Sequence, residues 1–432
     1  MSHISPHLME NEIQWQLIPV RKCTMVANRY GHGSFGFRNT LTGSDDVFVI
    51  GGNHKEDLAG KFSIAKLQLY RHLQDGSVVE AGYHRQMVHH ASESDKRFPR
   101  WGFAYAYCEE EQRFFMHGGF DTLNDHSDTR FFSPEHRSCS TLGSDGGGPS
   151  PRGYHSATYV PKKSNRKLQS NMVITFGGQT CLGGPYMYFN DVHALDLESL
   201  NWTHWRCEGD VPSARSQTFA FTWRGQMYVY GGYNGRKLFT DLFKLDLLTQ
   251  QWTRLMTTGD HPNTLSGLVP KNFRIFPCKP CGLLVGNKLI LVLEDYATST
   301  MDAYVLHLRS MRWIQLKGYS SHGTVPQEDV LLPVDEPFNP PARGNGTLVR
   351  SGEHLYVIGG TERHLSKTKC PAPHLWQLTL PRAMSWDRER ILWLACFKNN
   401  PWDCHLARCP PHIIYYIITL VNTNSFNLKS WM

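Results

Sequence analysis

Long hydrophobic runs are scarce in this chain of 432 residues. The longest, Ile413 to Val421, falls far short of the roughly 20 apolar residues with which a helix crosses a bilayer, so no spanning helix is expected. The opening MSHISPHLMENEIQW lacks the basic-then-apolar order of a secretory leader. Charge of one sign is also scarce: 45 Lys and Arg against 38 Asp and Glu leave +7, with the two signs interspersed, which argues against nucleic-acid binding. The 11 cysteines, odd in number and scattered, suggest reduced thiols rather than a disulfide framework. A cytoplasmic or nuclear protein is therefore expected, in which the sequons at Asn201 and Asn345 carry no glycan.

The sequence is equally poor in reaction chemistry. No set of carboxylates, nucleophile with base, or repeated ligand spacing stands out. Cys278 and Cys281 form a lone C-x-x-C without a second pair, and Cys404, His405, Cys409 and His412 match no common zinc spacing. His89-His90 reads as a solvated loop. Neither a metal nor a cofactor is expected, and the protein reads as non-catalytic.

What the sequence does contain is a repeat. Apolar runs end in paired glycines at VFVIGG, RFFMHGG, MVITFGG, MYVYGG and LYVIGG, closing on Gly52, Gly119, Gly178, Gly232 and Gly360. The last interval is about twice the others, and KLILVLEDY fills the gap, with Glu294 and Asp295 in place of the glycines. A period of this length implies stacked supersecondary units. The fourth copy reads as four short strands, PSARSQTFAF, QMYVYGG, DLFKLDL and QQWTRL, and the third repeats them through NWTHW. Glycine lets each run turn sharply and leaves bare backbone on which an aromatic, such as Trp202, Trp252 or Trp313, could pack.

The diglycine, the following apolar-rich strand with Asp and the later Trp resemble kelch repeats. The resemblance implies an all-β fold, a six-bladed kelch β-propeller over residues 13–380, the fifth blade degenerate, preceded by a tail at 1–12. The last copy lacks a Trp-bearing strand, and IQWQLIPV around Trp15 supplies one, so an N-terminal strand is expected to close the ring.

Residues 381–432 leave the period and read as a short α-helical C-terminal tail. Ser385 caps a helix whose Ile391, Leu392, Ala395 and Cys396 share one face, and Pro410-Pro411 starts a second carrying Ile413, Ile414, Ile417 and Ile418. Their apolar faces dock either on the propeller or on a partner. Leu392, Ala395 and Cys396 are similar to the core of an elongin-binding box, and Pro410, Ile413 and Ile417 to a cullin-selecting box of the cullin-2 type. The set resembles kelch-domain substrate receptors of cullin-2 ubiquitin ligases. That resemblance implies elongin B/C and cullin-2 as partners and capture of substrate C-terminal tails in the propeller mouth.

A carboxylate is well satisfied by guanidinium and hydroxyl donors. Arg100, Arg152, Arg215 and Arg343 open the second, third, fourth and sixth repeats just after a proline and point to a common region. Tyr154, Ser216, Tyr233, Asn234 and Arg236 complete the candidates. The repeat arginines have a second reading, as structural hydrogen-bond donors between blades. A kelch scaffold or adaptor that never meets elongin is the alternative function.

Overall fold

The computed structural model describes residues 12–21, 29–38, 45–53, 64–71, 78–85, 89–90, 100–142, 147–181, 185–262, 279–295, 300–320, 338–351, 354–360 and 374–380. Among these the regular structure is β throughout, apart from one short 3-10 turn at Lys162–Ser164. The expected tail helices, with Leu392, Ala395, Cys396, Pro410, Ile413 and Ile417, lie outside the described residues.

The strands follow one another as antiparallel meanders. Gly33–Arg38, Asp45–Ile50, Ile64–Arg71 and Val78–Arg85 make the first. Ala104–Cys108, Arg113–His117, Thr129–Ser133 and Ser138–Leu142 make the next. Then come Ser156–Val160, Met172–Phe176, Val192–Asp196 and Trp202–Trp205. Phe219–Trp223, Gln226–Tyr233, Leu238–Leu245 and Gln251–Leu255 follow.

The copy without glycines forms Cys281–Val285, Lys288–Asp295, Thr300–His307 and Arg312–Ser320. With Glu294 and Asp295 in place of the pair, its ladder simply continues, Glu294 opposite Met301 and Asp295 opposite Thr300. The last run, Thr347–Ser351, His354–Ile358 and His374–Thr379, takes Glu12–Arg21 as its outer strand, Trp15 facing Leu378. That N-terminal strand also runs parallel to Arg312–Ser320 at one end and to Val78–Arg85 at the other. Trp15 is fully buried there, in a cluster with Trp376, Leu316 and Leu355.

The first strands of these runs are neighbours in circular order, from Gly33–Arg38 through Ala104–Cys108, Ser156–Val160, Phe219–Trp223, Cys281–Val285 and Thr347–Ser351 back to the start. The arrangement is propeller-like. Because each sheet is sandwiched between two others, the second strands bury both faces: six consecutive residues of Lys288–Asp295, Leu289 to Glu294, are buried. His89-His90 is not a loop but a short strand, parallel to Ser138–Leu142 and extending that sheet outward.

The tryptophans join one sheet to the preceding one. Trp202 sits edge-on to Phe115, Trp252 to Phe176, and Trp313 is tilted against Tyr230, with centroids 6.1, 5.4 and 5.3 Å apart. They do not cover the paired glycines as the sequence suggested. Those glycines have a different neighbour, the arginine segment of the following repeat.

Candidate functional site: the channel and its diglycine end

The first glycine of each pair has positive φ, +68° at Gly177, and a Cβ there would lie 2.5 Å from the Arg215 carbonyl oxygen. The second glycine donates its N–H to that same carbonyl, Gly178 to Arg215 at 2.9 Å and Gly119 to Arg152 at 2.8 Å. No side chain fits between, so glycine is required by close approach as well as by conformation.

The arginine side chains turn back into their own repeat. Arg215 donates to the Gly231 carbonyl at 3.1 Å and to Asp241 at 2.6 Å, and its guanidinium lies 3.7 Å from the Phe239 ring centre. Arg152 grips both oxygens of Asp191, at 2.5 and 2.9 Å, and stacks over Phe189. Arg100 donates to the Gly118 carbonyl and to Asp128. Burial opposes ionisation of Asp128, but the Arg100 charge and hydrogen bonds from Arg100 and Arg130 outweigh it and hold the carboxyl down to about 2. Arg343 is buried at the corresponding place. These arginines are 2–6 % exposed, and in Arg100, Arg152 and Arg215 the guanidinium is held by an aspartate of its own repeat. Of the two sequence readings, the structural one describes this geometry.

Tyr154 packs its ring on Phe120, and Ser216 is buried, its hydroxyl donating to Gln179 Oε1 at 2.6 Å. The remaining candidates reach the surface. Asn234 Oδ1 accepts the N–H groups of Arg236 and Lys237, a side-chain-capped turn that presents Arg236 to solvent. Tyr233 packs against Tyr188 of the neighbouring loop. Leu123, in the loop after Gly119, and Tyr186 and Met187, in the loop after Gly178, are exposed at 79, 56 and 58 %. The Cys181 N–H donates to Asp125 Oδ2 at 2.9 Å, linking the loops that carry these side chains.

Within the ring of first strands lies a cavity of about 770 Å³. At its diglycine end Lys279 stands over Tyr105, Nζ 5.0 Å from the ring centre, beside Thr347 and Gly346. Burial pushes the Lys279 ammonium down to about 8. His32 and His155 line the same end, and burial lowers both, His32 to about 4, so neither is charged at neutral pH. Asp46, Glu109 and Arg350 line the opposite end. Sequence reasoning passed over Lys279 because it sits inside the C-x-x-C pair; Cys281 is a buried wall residue at the start of its strand, and Cys278 lies outside the described residues.

Among the described residues, Asp191, His193 and His204 bring ligand atoms within 4.8 Å of one another. Both Asp191 oxygens already serve Arg152, and Oδ2 also meets His193 Nε2 at 3.1 Å, so the group is part of the hydrogen-bonded network of that repeat.

Comparison with known proteins agrees with the architecture. The KLHDC2/KLHL20/DRC7 Kelch-repeats domain matches residues 163–332. The chain is similar to kelch domain-containing protein 3 of Bos taurus, 24 % identical over 272 residues, covering 61 % of this chain and 60 % of that protein. It is 34 % identical over 85 residues to dynein regulatory complex subunit 7 of Chlamydomonas reinhardtii, which is 20 % of this chain and 6 % of that one. A third likeness is to human leucine-zipper-like transcriptional regulator 1, 23 % over 171 residues, 40 % of this chain and 18 % of the other. The chain thus spans less than two thirds of the length of each of these relatives. Fold and likenesses together support a kelch-repeat protein with a propeller-like, all-β arrangement.

Proposed function

We propose that this chain is a six-bladed kelch propeller acting as the substrate-recognition subunit of a cullin-2, elongin B/C ubiquitin ligase. In this reading it takes substrate C-terminal peptides at the diglycine end of the channel and transfers nothing itself, working in the cytoplasm or nucleus. The six-fold count draws on the circular order of the first strands and on the four-stranded run at 281–320. The peptide-binding half is carried by one observation: exposed Leu123, Tyr186 and Met187, with Tyr233 and Arg236, stand in the loops that follow the paired glycines of three successive repeats, in a protein whose ring encloses a channel within the roughly 300–1,000 Å³ span of ligand pockets. The ligase half rests on the resemblance of Leu392, Ala395 and Cys396, and of Pro410, Ile413 and Ile417, to the two boxes. The fourth repeat, with its GGYNG turn, adds a likeness to kelch domain-containing protein ten.

A scaffold or adaptor without elongin is the second reading. It is favoured by the engagement of Arg100, Arg152 and Arg215 with their own aspartates, which leaves Arg236 as the exposed guanidinium of the candidate set. A peptide array displaying the same sequences with free and with amidated C-termini tests the receptor reading. Binding confined to free termini is expected. Binding indifferent to amidation, or no binding, would count against tail capture.

A further inference from the structure

The hairpin between the first and second strands of the third repeat is longer than its counterparts. The fourth and fifth repeats turn there through Arg224-Gly225 and Gly286-Asn287, and the second through Glu109 to Gln112. In the third, Val160 and Met172 are joined by Pro161 to Asn171, at the strand end away from Gly177-Gly178. The insertion is held by its own bonds. The Ser164 N–H and Oγ both donate to the Pro161 carbonyl, at 2.9 and 2.7 Å, the Lys162 N–H donates to Asn171 Oδ1 at 2.7 Å, and Ser170 Oγ donates to Asp196. Leu168, 6 % exposed, is sunk among Val160, Met227 and Leu247. Gly225 of the next repeat lets the loop come close, since a Cβ there would lie 2.7 Å from Asn165 Cβ.

This frame presents positive charge. Lys162, Lys163, Arg166 and Lys167 are exposed, and Arg224, also exposed, lies over Trp223 beside Gly225. Lys163 pairs with Glu110 at 2.9 Å, and the other four have no carboxylate partner among the described residues. Glu111 is already engaged by Asn171 Nδ2 at 2.6 Å. Like charges gathered on a fixed frame repel one another and raise the local potential, and an anion relieves both. The loop offers no exposed aromatic on which a base could stack and no large exposed apolar side chain to enter a lipid surface. Glu109, Glu110 and Glu111 flank it and restrict the footprint to a short anionic segment.

We propose that the Pro161 to Asn171 loop, together with Arg224, docks an acidic segment of a partner protein through the carboxylates of its Asp and Glu side chains. The loop is already ordered by its own hydrogen bonds and by Leu168, so binding fixes little more than the incoming segment. Its place at the strand ends away from the paired glycines leaves the diglycine mouth open while the partner is held. The surface is independent of the ligase reading, and failure of elongin recovery would leave it untouched.

The experiment uses the full chain and three labelled probes followed by fluorescence anisotropy: acetyl-Glu-Asp-Glu-Asp-Glu-Asp amide, its Gln/Asn counterpart, and a thymidine oligonucleotide of the same length. The amide removes the terminal carboxylate, so capture of peptide tails does not contribute. The acidic peptide should bind saturably and more weakly as salt is added, and the neutral one should not bind. Lys162→Glu, Arg166→Glu and Lys167→Glu together should weaken the acidic peptide about ten-fold or more. The same reversal at exposed Arg206, Arg254 and Lys317, on or beside outer strands, changes net charge equally and should leave affinity within about two-fold. No binding, equal binding of the neutral peptide, or an equal loss in the control reversal overturns the proposal. Tighter binding of the oligonucleotide than of the acidic peptide also overturns it and assigns the surface to nucleic acid. Should the loop variant fail to fold, carbodiimide coupling of the acidic peptide to the wild-type chain decides. Adducts at Lys162, Lys163 or Lys167 are expected, and adducts confined to other lysines overturn the docking surface.

Discussion

The Gly360 N–H donates to the carbonyl oxygen of Arg29 at 2.8 Å, tying the last paired glycines to the segment that leads into the first inner strand. The same bond joins Gly52 to Arg100, Gly119 to Arg152 and Gly178 to Arg215. At these four junctions one repeat is fastened to the next by a main-chain bond, and that bond needs a backbone with no Cβ.

Gly177→Ala should therefore be costly. A left-handed alanine alone loses roughly 1–2 kcal/mol, and at Gly177 the new Cβ would also push on the Arg215 carbonyl, 2.5 Å away. Gly147 is the control, with similar φ of +66° but 3.9 Å between an added Cβ and its nearest neighbour. Urea unfolding should show Gly177→Ala clearly less stable than Gly147→Ala. Equal losses would mean that close approach contributes nothing.

Arg215 is 2 % exposed and satisfied by Asp241, Ser213 and the Gly231 carbonyl. Removing one partner of a buried pair leaves an uncompensated charge, a loss of about 3–5 kcal/mol. Arg215→Met should fall in that range, and Arg215→Met with Asp241→Leu should recover part of it. A single-variant loss under about 1 kcal/mol would return Arg215 to the list of free ligand-binding groups.

The N-terminal strand is held by Trp15, fully buried among residues of the last two strand runs. Trp15→Ala should cost about 3–5 kcal/mol. Hydrogen exchange should quicken first in His374–Thr379 and Arg312–Ser320, the two strands that pair with residues 12–19. Uniform quickening across all sheets would speak against a local seam.

Asp128 gives the pH dependence its sign. Its folded pKa, about 2, lies below the ordinary value of about 3.9, so its pairing with Arg100 and Arg130 contributes fully above about pH 4 and is lost as pH falls through about 2. The stability gap between wild type and Asp128→Asn, about 2 kcal/mol at pH 7, should shrink as pH is lowered from 4 to 2. A gap that does not change with pH would deny the ion pair its role.

The strand pattern was largely legible in the sequence because alternation and glycine punctuation are local. Trp15 could be placed on the last sheet from the absence of a partner strand there, and KLILVLEDY could be recognised as a copy by its interval. The arginines were harder. Their partners Asp128, Asp191 and Asp241 recur in each repeat well downstream of the arginine, a signal present in the sequence but readable only once strand pairing brings the two together. Lys279 was not legible at all. It lies in the copy that lacks both arginine and glycines, and its surroundings come from other repeats: Tyr105, Asn345 and Thr347.

The central claim, a propeller that delivers its ligand to a ligase, is tested most directly by recovery of endogenous elongins B and C with the purified full chain. Wild type should bring down both in stoichiometric amounts, and a Leu392→Asp, Cys396→Asp variant that melts at the wild-type temperature should lose them at least ten-fold. If the two folded proteins recover elongins equally poorly, the chain is a kelch scaffold and not a ligase receptor.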